Sequence, residues 1–251
     1  MKKIHTLIFF IFMTGTLFAK THTYYYNREW SRANPENAVY YREISDTRNF
    51  RGYAYTDFFM NGRPKSSGYM KKFNNKNTIN GPVIIYDFDG KTAEKSSYLS
   101  GKKHGKEIKY YRNGAIRSIT GYKNGMKHGK EIKYFENETI SYAAHYKNDL
   151  LHGTETFYKF NGDIITKIEY KYNKYDGKYI VYNENFPILE ITYKKGIKNG
   201  EYNEYYESGI LKENAVYKNG KIESVRNEYY ESGTLKSEIN YKNGVAEGIG
   251  K

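Results

Sequence analysis

The chain has 251 residues, with 41 Lys and Arg against 28 Asp and Glu, 30 Tyr, 23 Gly and no Cys. Hydrophobic residues make up only 38%, and almost half of these are aromatic. That excludes a Leu/Ile/Val core of the usual size, and so many rings argue against disorder. Without Cys there is no disulfide framework, thiolate zinc site, iron–sulfur cluster or Cys nucleophile.

The first element is a leader. Lys2 and Lys3 precede an apolar run from Leu7 to Met13 that continues through Leu17 and Phe18 to the small residue Ala19. The run falls short of the roughly 20 apolar residues that a membrane span needs. We expect residues 1–19 to be an export signal cleaved after Ala19, placing the protein in the periplasm, on the outer surface or outside the cell. Loss of Lys2 and Lys3 takes the net charge from +13 to +11. Residues 20–49, with Tyr24-Tyr25-Tyr26, Trp30, Pro35 and Tyr40-Tyr41, are expected to be an N-terminal cap over the first apolar edge.

Residues 50–251 are repetitive. Tyr98, Tyr122, Tyr146, Tyr170, Tyr193, Tyr217 and Tyr241 recur every 24 residues, with a single step of 23 before Tyr193. Tyr86, Tyr110, Tyr134, Tyr158, Tyr182, Tyr205 and Tyr229 form a second phased column. Glycines recur at Gly81, Gly105, Gly129, Gly153, Gly177 and Gly200, fail at Ser224 and return at Gly248. Each unit reads as a strand from Gly, an aromatic pair, a turn such as Asn113-Gly114, a second strand ending in Tyr, and a Lys/Asn/Gly loop. Asn113-Gly114 supplies the positive φ angles of a tight hairpin turn. Recurrent Gly and the lack of a 3.6-residue apolar period exclude helices.

Two strands per unit, about 4.8 Å each, advance the array by roughly 10 Å per repeat. The expected fold is all-β, an elongated single-layer antiparallel meander of about seven or eight hairpins. Alternation assigns Ile116, Thr120 and Tyr122 to an apolar face and Arg117 and Gly121 to a wet one. Both Tyr columns are expected on the apolar face, forming an aromatic groove.

Units such as Tyr122 to Gly129 followed by Tyr134-Phe135, and Tyr193 to Gly200 followed by Tyr205-Tyr206, resemble the MORN (membrane occupation and recognition nexus) repeat variant. That variant is common in bacterial proteins described as YwqK-type antitoxins. The resemblance covers roughly residues 52–251 and implies a hairpin scaffold that binds proteins or lipids. Similar exported arrays are implied to be envelope or surface proteins.

The chemistry-bearing residues favour binding over catalysis. His104, His128 and His152 share one repeat position, but neighbours about 10 Å apart cannot meet on one zinc, so they read as polar turn residues. Glu107, Glu131 and Glu155 also form a column, which reads as a solvated face of Lys/Glu cross-strand pairs. No dinucleotide fingerprint, phosphate loop or nucleophile elbow is present. No catalytic residue, metal site or cofactor is therefore expected. The candidate binding residues are the aromatic column Tyr110, Tyr134, Tyr158, Tyr182, Tyr205 and Tyr229 and the basic loop residues Lys102, Lys103, Lys123, Lys127, Lys194 and Lys195.

Such a surface suits a protein or an anionic envelope or glycan partner, and nucleic acid is not expected. The expected function is an exported, non-enzymatic repeat scaffold that binds a protein or envelope partner through the aromatic groove and the basic loops, a role compatible with surface adhesion or host interaction. A cell-wall or glycan-binding module and an antitoxin-like inhibitor of a partner toxin are the alternatives. An open sheet edge also permits self-association.

Overall fold

The structure is a computed structural model that describes residues 20–49, 51–72 and 79–249. The expected leader and its cleavage point Ala19 lie outside the described residues, as does most of the stretch from Phe73 to Asn80. Among the described residues, twenty-one strands form one sheet. Pairing is antiparallel between consecutive segments, from Thr21–Tyr26 with Tyr40–Asn49 to Leu235–Lys242 with Val245–Ile249. The chain is thus the single-layer all-β meander that its period implies.

Two kinds of turn alternate along it, and the left-handed pair expected at Asn113-Gly114 sits at the other one. In the Lys/Asn/Gly loops both central residues are left-handed, as at Asn124 (φ 53°) and Gly125 (φ 89°), the two-residue turn that matches strand twist. At Asn113-Gly114 only Gly114 has a positive φ, 93°. There the Gly114 N–H donates to the Tyr111 carbonyl (3.0 Å) and the Tyr111 N–H to the Ala115 carbonyl (2.8 Å). The Asn113 side chain accepts the Ala115 N–H (2.9 Å), making a three-residue loop. The 23-residue step has the same origin. Asn183 pairs directly with Phe186 around Glu184-Asn185, so that one hairpin uses the two-residue turn and loses a residue.

The recurrent Gly marks a bulge. Lys127 pairs with Tyr122 and Glu131 with Thr120, so the three residues 128–130 face the single Gly121. A Cβ on Gly121 would stand 2.4 Å from the His128 carbonyl oxygen. Residues 152–154 face His145 and residues 199–201 face Thr192 in the same way. The bulge holds its central residue left-handed, including Ser224 (φ 92°) where Gly is replaced. His128 and His152 therefore open bulges within strands, His104 stands in the break between the strands Lys102–Lys103 and Gly105–Tyr110, and none of the three sits in a turn. One such bend per repeat coils the sheet, so that a single layer has a concave inner face.

The core is a line across that inner face. Register places Ile44, Tyr55, Gly68 and Val83 in successive strands, followed by Ser96, Glu107, Thr120, Glu131, Ala144, Glu155 and Ile168. Apart from Gly68, which has no side chain, these are buried. The Gly and first Tyr columns share a cause as well. Gly105 lies opposite Tyr122, Gly129 opposite Tyr146 and Gly153 opposite Tyr170, so each ring faces a position without a side chain.

Residues 20–49 add two strands to the sheet and also cover its edge. Tyr26 bridges to Arg32, and the Ala33 N–H donates to the Tyr25 carbonyl (3.1 Å). The Arg32 guanidinium lies 3.8 Å from the Tyr24 ring centroid. Behind this edge the buried Arg42 and Asp57 pair through two hydrogen bonds (2.5 and 2.9 Å), and Ser66 donates to the same carboxylate.

Candidate interaction surfaces

The glutamate column is the largest departure from the sequence reading. Glu107, Glu131 and Glu155 are not on a solvated face. They are 3%, 5% and 7% exposed in the inner line. A buried carboxylate is costly unless it is paired and hydrogen-bonded. Lys103 pairs with Glu107 and, at 3.1 Å, with Glu94. Lys127 reaches both oxygens of Glu131 at 2.9 and 3.0 Å.

Where the lysine position becomes Leu151, Glu155 instead accepts the Tyr142 hydroxyl (2.8 Å). In the next repeat both positions are aromatic, Tyr175 and Tyr179, with ring centroids 5.8 Å apart. One repeat further, Lys198 lies 5.2 Å from the Tyr202 ring. Where Arg226 occupies the carboxylate position, it forks onto Glu213 with two 2.9 Å bonds. Partners thus change together from copy to copy: cation with carboxylate, hydroxyl with carboxylate, ring with ring, cation with ring.

The pairing divides the six candidate basic loop residues. Lys103 and Lys127 turn inward onto the carboxylates, whereas Lys102, Lys123, Lys194 and Lys195 are exposed. Burial raises the pKa of the inner phenols. For Tyr142 the raised value also reflects hydrogen bonding with Tyr146 and the Glu155 carboxylate, and for Tyr170 the same carboxylate.

The second Tyr column does not share this groove. The Tyr86 hydroxyl is 3.1 Å from Ser67 Oγ, and the Lys95 ammonium is 5.6 Å from the Tyr110 ring. Ser67 and Lys95 adjoin the inner residues Gly68 and Ser96, so they point outward. A second bulge explains the crossing. Lys109 pairs with Ser118 and Tyr110 with Ile116, which inverts the alternation at Arg117. Tyr110, Tyr134, Tyr158, Tyr182, Tyr205 and Tyr229 are therefore an outer column, paired with Ile116, Ile140, Ile164, Pro187, Leu211 and Leu235. The outer line between the bulges starts apolar, with Ile108, Ile119 and Ile132, and ends with Asn203, Asn214 and Asn227.

This hairpin unit has a known counterpart. A family model described as MORN repeat variant matches residues 103–124, 127–148, 151–172, 198–219 and 222–243. The chain belongs to the MORN repeat family. Each matched MORN unit runs from the inner lysine position, through the three-residue tip, to the left-handed turn. The hairpin between the third and fourth matches is the one with the shortened tip and the Tyr175/Tyr179 replacement. MORN repeats are known as repeat scaffolds that often mediate protein or membrane binding. The comparison with curated proteins finds no match to the chain.

Adjacent MORN units lock along both long sides. At the loop side the Gly125 N–H donates to the Lys103 carbonyl and the Gly220 N–H to the Lys198 carbonyl, both at 2.8 Å. At the tip side the Tyr111 hydroxyl donates to the Tyr134 carbonyl (2.6 Å), and Tyr206 to Tyr229 (2.8 Å). A shallow cleft of about 500 Å³ opens among the tips, lined by Phe88, Tyr110 and Tyr111 and by the Asp89–Arg112 ion pair. Among the described residues no three His, Asp or Glu side chains gather as metal ligands.

Proposed function

We propose that this MORN-repeat chain is an exported, non-enzymatic scaffold that binds a protein or another envelope component on its outer Tyr face. The observation that carries the reading is the outer column from Tyr110 to Tyr229, which runs along a one-layer sheet with no second described layer over it. Aromatic surface of that extent is characteristic of partner sites. The exposed lysines of the loops add long-range attraction for anionic partners. Export rests on the leader sequence ending at Ala19.

The test is capture from envelope extracts with the wild-type chain and with Tyr134→Ala/Tyr182→Ala/Tyr205→Ala. Loss of a captured component in the variant, with its strand circular dichroism intact, supports the reading. Equal capture by both chains removes it. Cell fractionation with mass determination checks whether the product is exported and shortened at Ala19.

The Asn203, Asn214 and Asn227 line favours a second reading, carbohydrate binding by the last two hairpins. The side-chain oxygens of Asn214 and Asn227 are buried with no hydrogen-bond partner among the described residues; Tyr229 shares a strand with Asn227, and Tyr205 shares one with Asn203, which pairs with Asn214. Amides beside rings suit sugar hydroxyls and faces. A glycan array on wild type and Asn214→Leu separates the two readings.

A further inference from the structure

The two long sides of the ribbon carry opposite charge. The seven turns from residue 99 to residue 245 form the loop side and contain ten Lys against one acid, Asp149. The seven tips from residue 87 to residue 234 contain eight acids against three bases. In the last five tips the count is six acids to the single base Lys159. Strands of eight to ten residues separate the two sides, about 26–33 Å at about 3.3 Å per residue.

Both sides also expose apolar groups that the fold leaves uncovered. Phe160 and Phe186 on the tip side are 61% and 69% exposed, and Ile197 and Val245 on the loop side are 52% and 68% exposed. The tip acids Glu136, Glu184, Glu207 and Glu231 are exposed and make no ion pair among the described residues. On the loop side Lys123, Lys171, Lys194 and Lys218 are likewise exposed, while their neighbours Lys103 and Lys127 are consumed by Glu107 and Glu131.

We propose that copies of this chain associate side by side, the acidic aromatic tip side of one docking on the basic apolar loop side of the next. The argument is one of period. Both rows belong to one array, so they share the same advance of roughly 10 Å per repeat, and lysine turns can meet acidic tips in step, the basic tip at Arg112 excepted. Shifting one copy by a whole repeat restores the match, so charge selects the pair of sides and several registers satisfy it. Like-to-like contact is disfavoured, because it would set rows of equal charge against each other. The contact is heterologous, so association continues beyond a dimer unless it closes into a ring. It differs from pairing through the end strands and leaves the outer Tyr face open, so it stands whether or not that face binds a partner.

Charge-swapped chains test it. Variant L carries Lys123→Glu, Lys171→Glu, Lys194→Glu and Lys218→Glu. Variant T carries Glu136→Lys, Glu184→Lys, Glu207→Lys and Glu231→Lys. Sedimentation velocity at about 50 μM should show the wild-type weight-average mass at least doubled at about 20 mM salt and returned to monomer at about 500 mM, where screening is complete within a few Å. L alone and T alone should be monomeric at low salt, and an equimolar mixture should regain at least a twofold rise in mass. A wild type that stays monomeric at low salt overturns the proposal. So does a mixture that stays monomeric while both variants keep their strand circular dichroism. If either variant loses that signal, single-loop and single-tip versions with Lys218→Glu and Glu207→Lys replace them, and unchanged wild-type-like association in both overturns it equally.

Discussion

At the scale of single residues, neighbours in one loop differ by what they touch. Lys123 is exposed, whereas Lys127 neutralises a carboxylate that is 5% exposed. Lys127→Met leaves Glu131 buried without its cation and should cost about 1–3 kcal/mol, while Lys123→Met should stay within about 0.5 kcal/mol. Urea titration of the two variants checks the contrast. Glu138 occupies the tip position that Gly114 and Gly162 fill elsewhere, at φ 66°. A left-handed conformation costs an L-residue about 1–2 kcal/mol, and Gly gives back part of that through its greater loss of entropy. Glu138→Gly should therefore raise stability by about 0.5–1 kcal/mol, read as a higher urea midpoint at unchanged slope.

At the scale of the hairpin, stability is a chain of nearest-neighbour terms. Each unit gives one hydrogen-bonded loop and one tip contact to the next, with an inner pairing completed within the repeat or across one strand. Deleting residues 127–150 removes one whole period and rejoins equivalent positions. That variant should fold, with a denaturant slope lower by about a tenth, since the slope follows the surface exposed on unfolding. Deleting residues 137–148 removes a single strand and reverses the direction of everything after it. Its C-terminal strands should lose their protection from hydrogen exchange.

For the whole molecule, tyrosine takes the place of an aliphatic core, and this sets the response to pH. Tyr142, Tyr170 and Tyr202 have raised pKa values because burial disfavours the phenolate, and neighbouring carboxylates oppose it further. Burial acts in the same direction on Tyr98, Tyr122, Tyr193 and Tyr217. A phenol whose folded pKa lies above its unfolded value of 10.0 contributes stability that is complete below pH 10 and lost as pH rises beyond it. The melting temperature should thus hold from neutral pH up to about 10 and then fall steeply, with tyrosinate absorbance appearing together with loss of strand signal.

The phased Tyr and Gly columns suffice for the hairpin, the meander, the repeat length and the MORN family, because hairpin formation is local and a 24-residue period admits few architectures. Local sequence also holds the turn chemistry, although Asn113-Gly114 and Asn124-Gly125 look alike and only the pairing registers tell the three-residue loop from the two-residue one. What the tertiary structure alone decided is which way side chains face. Strand alternation inverts at each bulge, so strict alternation puts Ile116 with Thr120 and places both Tyr columns together, whereas the bulges send Tyr110 and Ile116 outward. The same coiling buries Glu107, Glu131 and Glu155, which in sequence look like any solvated charge column. A carboxylate becomes buried only when the bend of its own sheet and the lysine or tyrosine of a neighbouring strand close over it, and those contacts exist only in three dimensions.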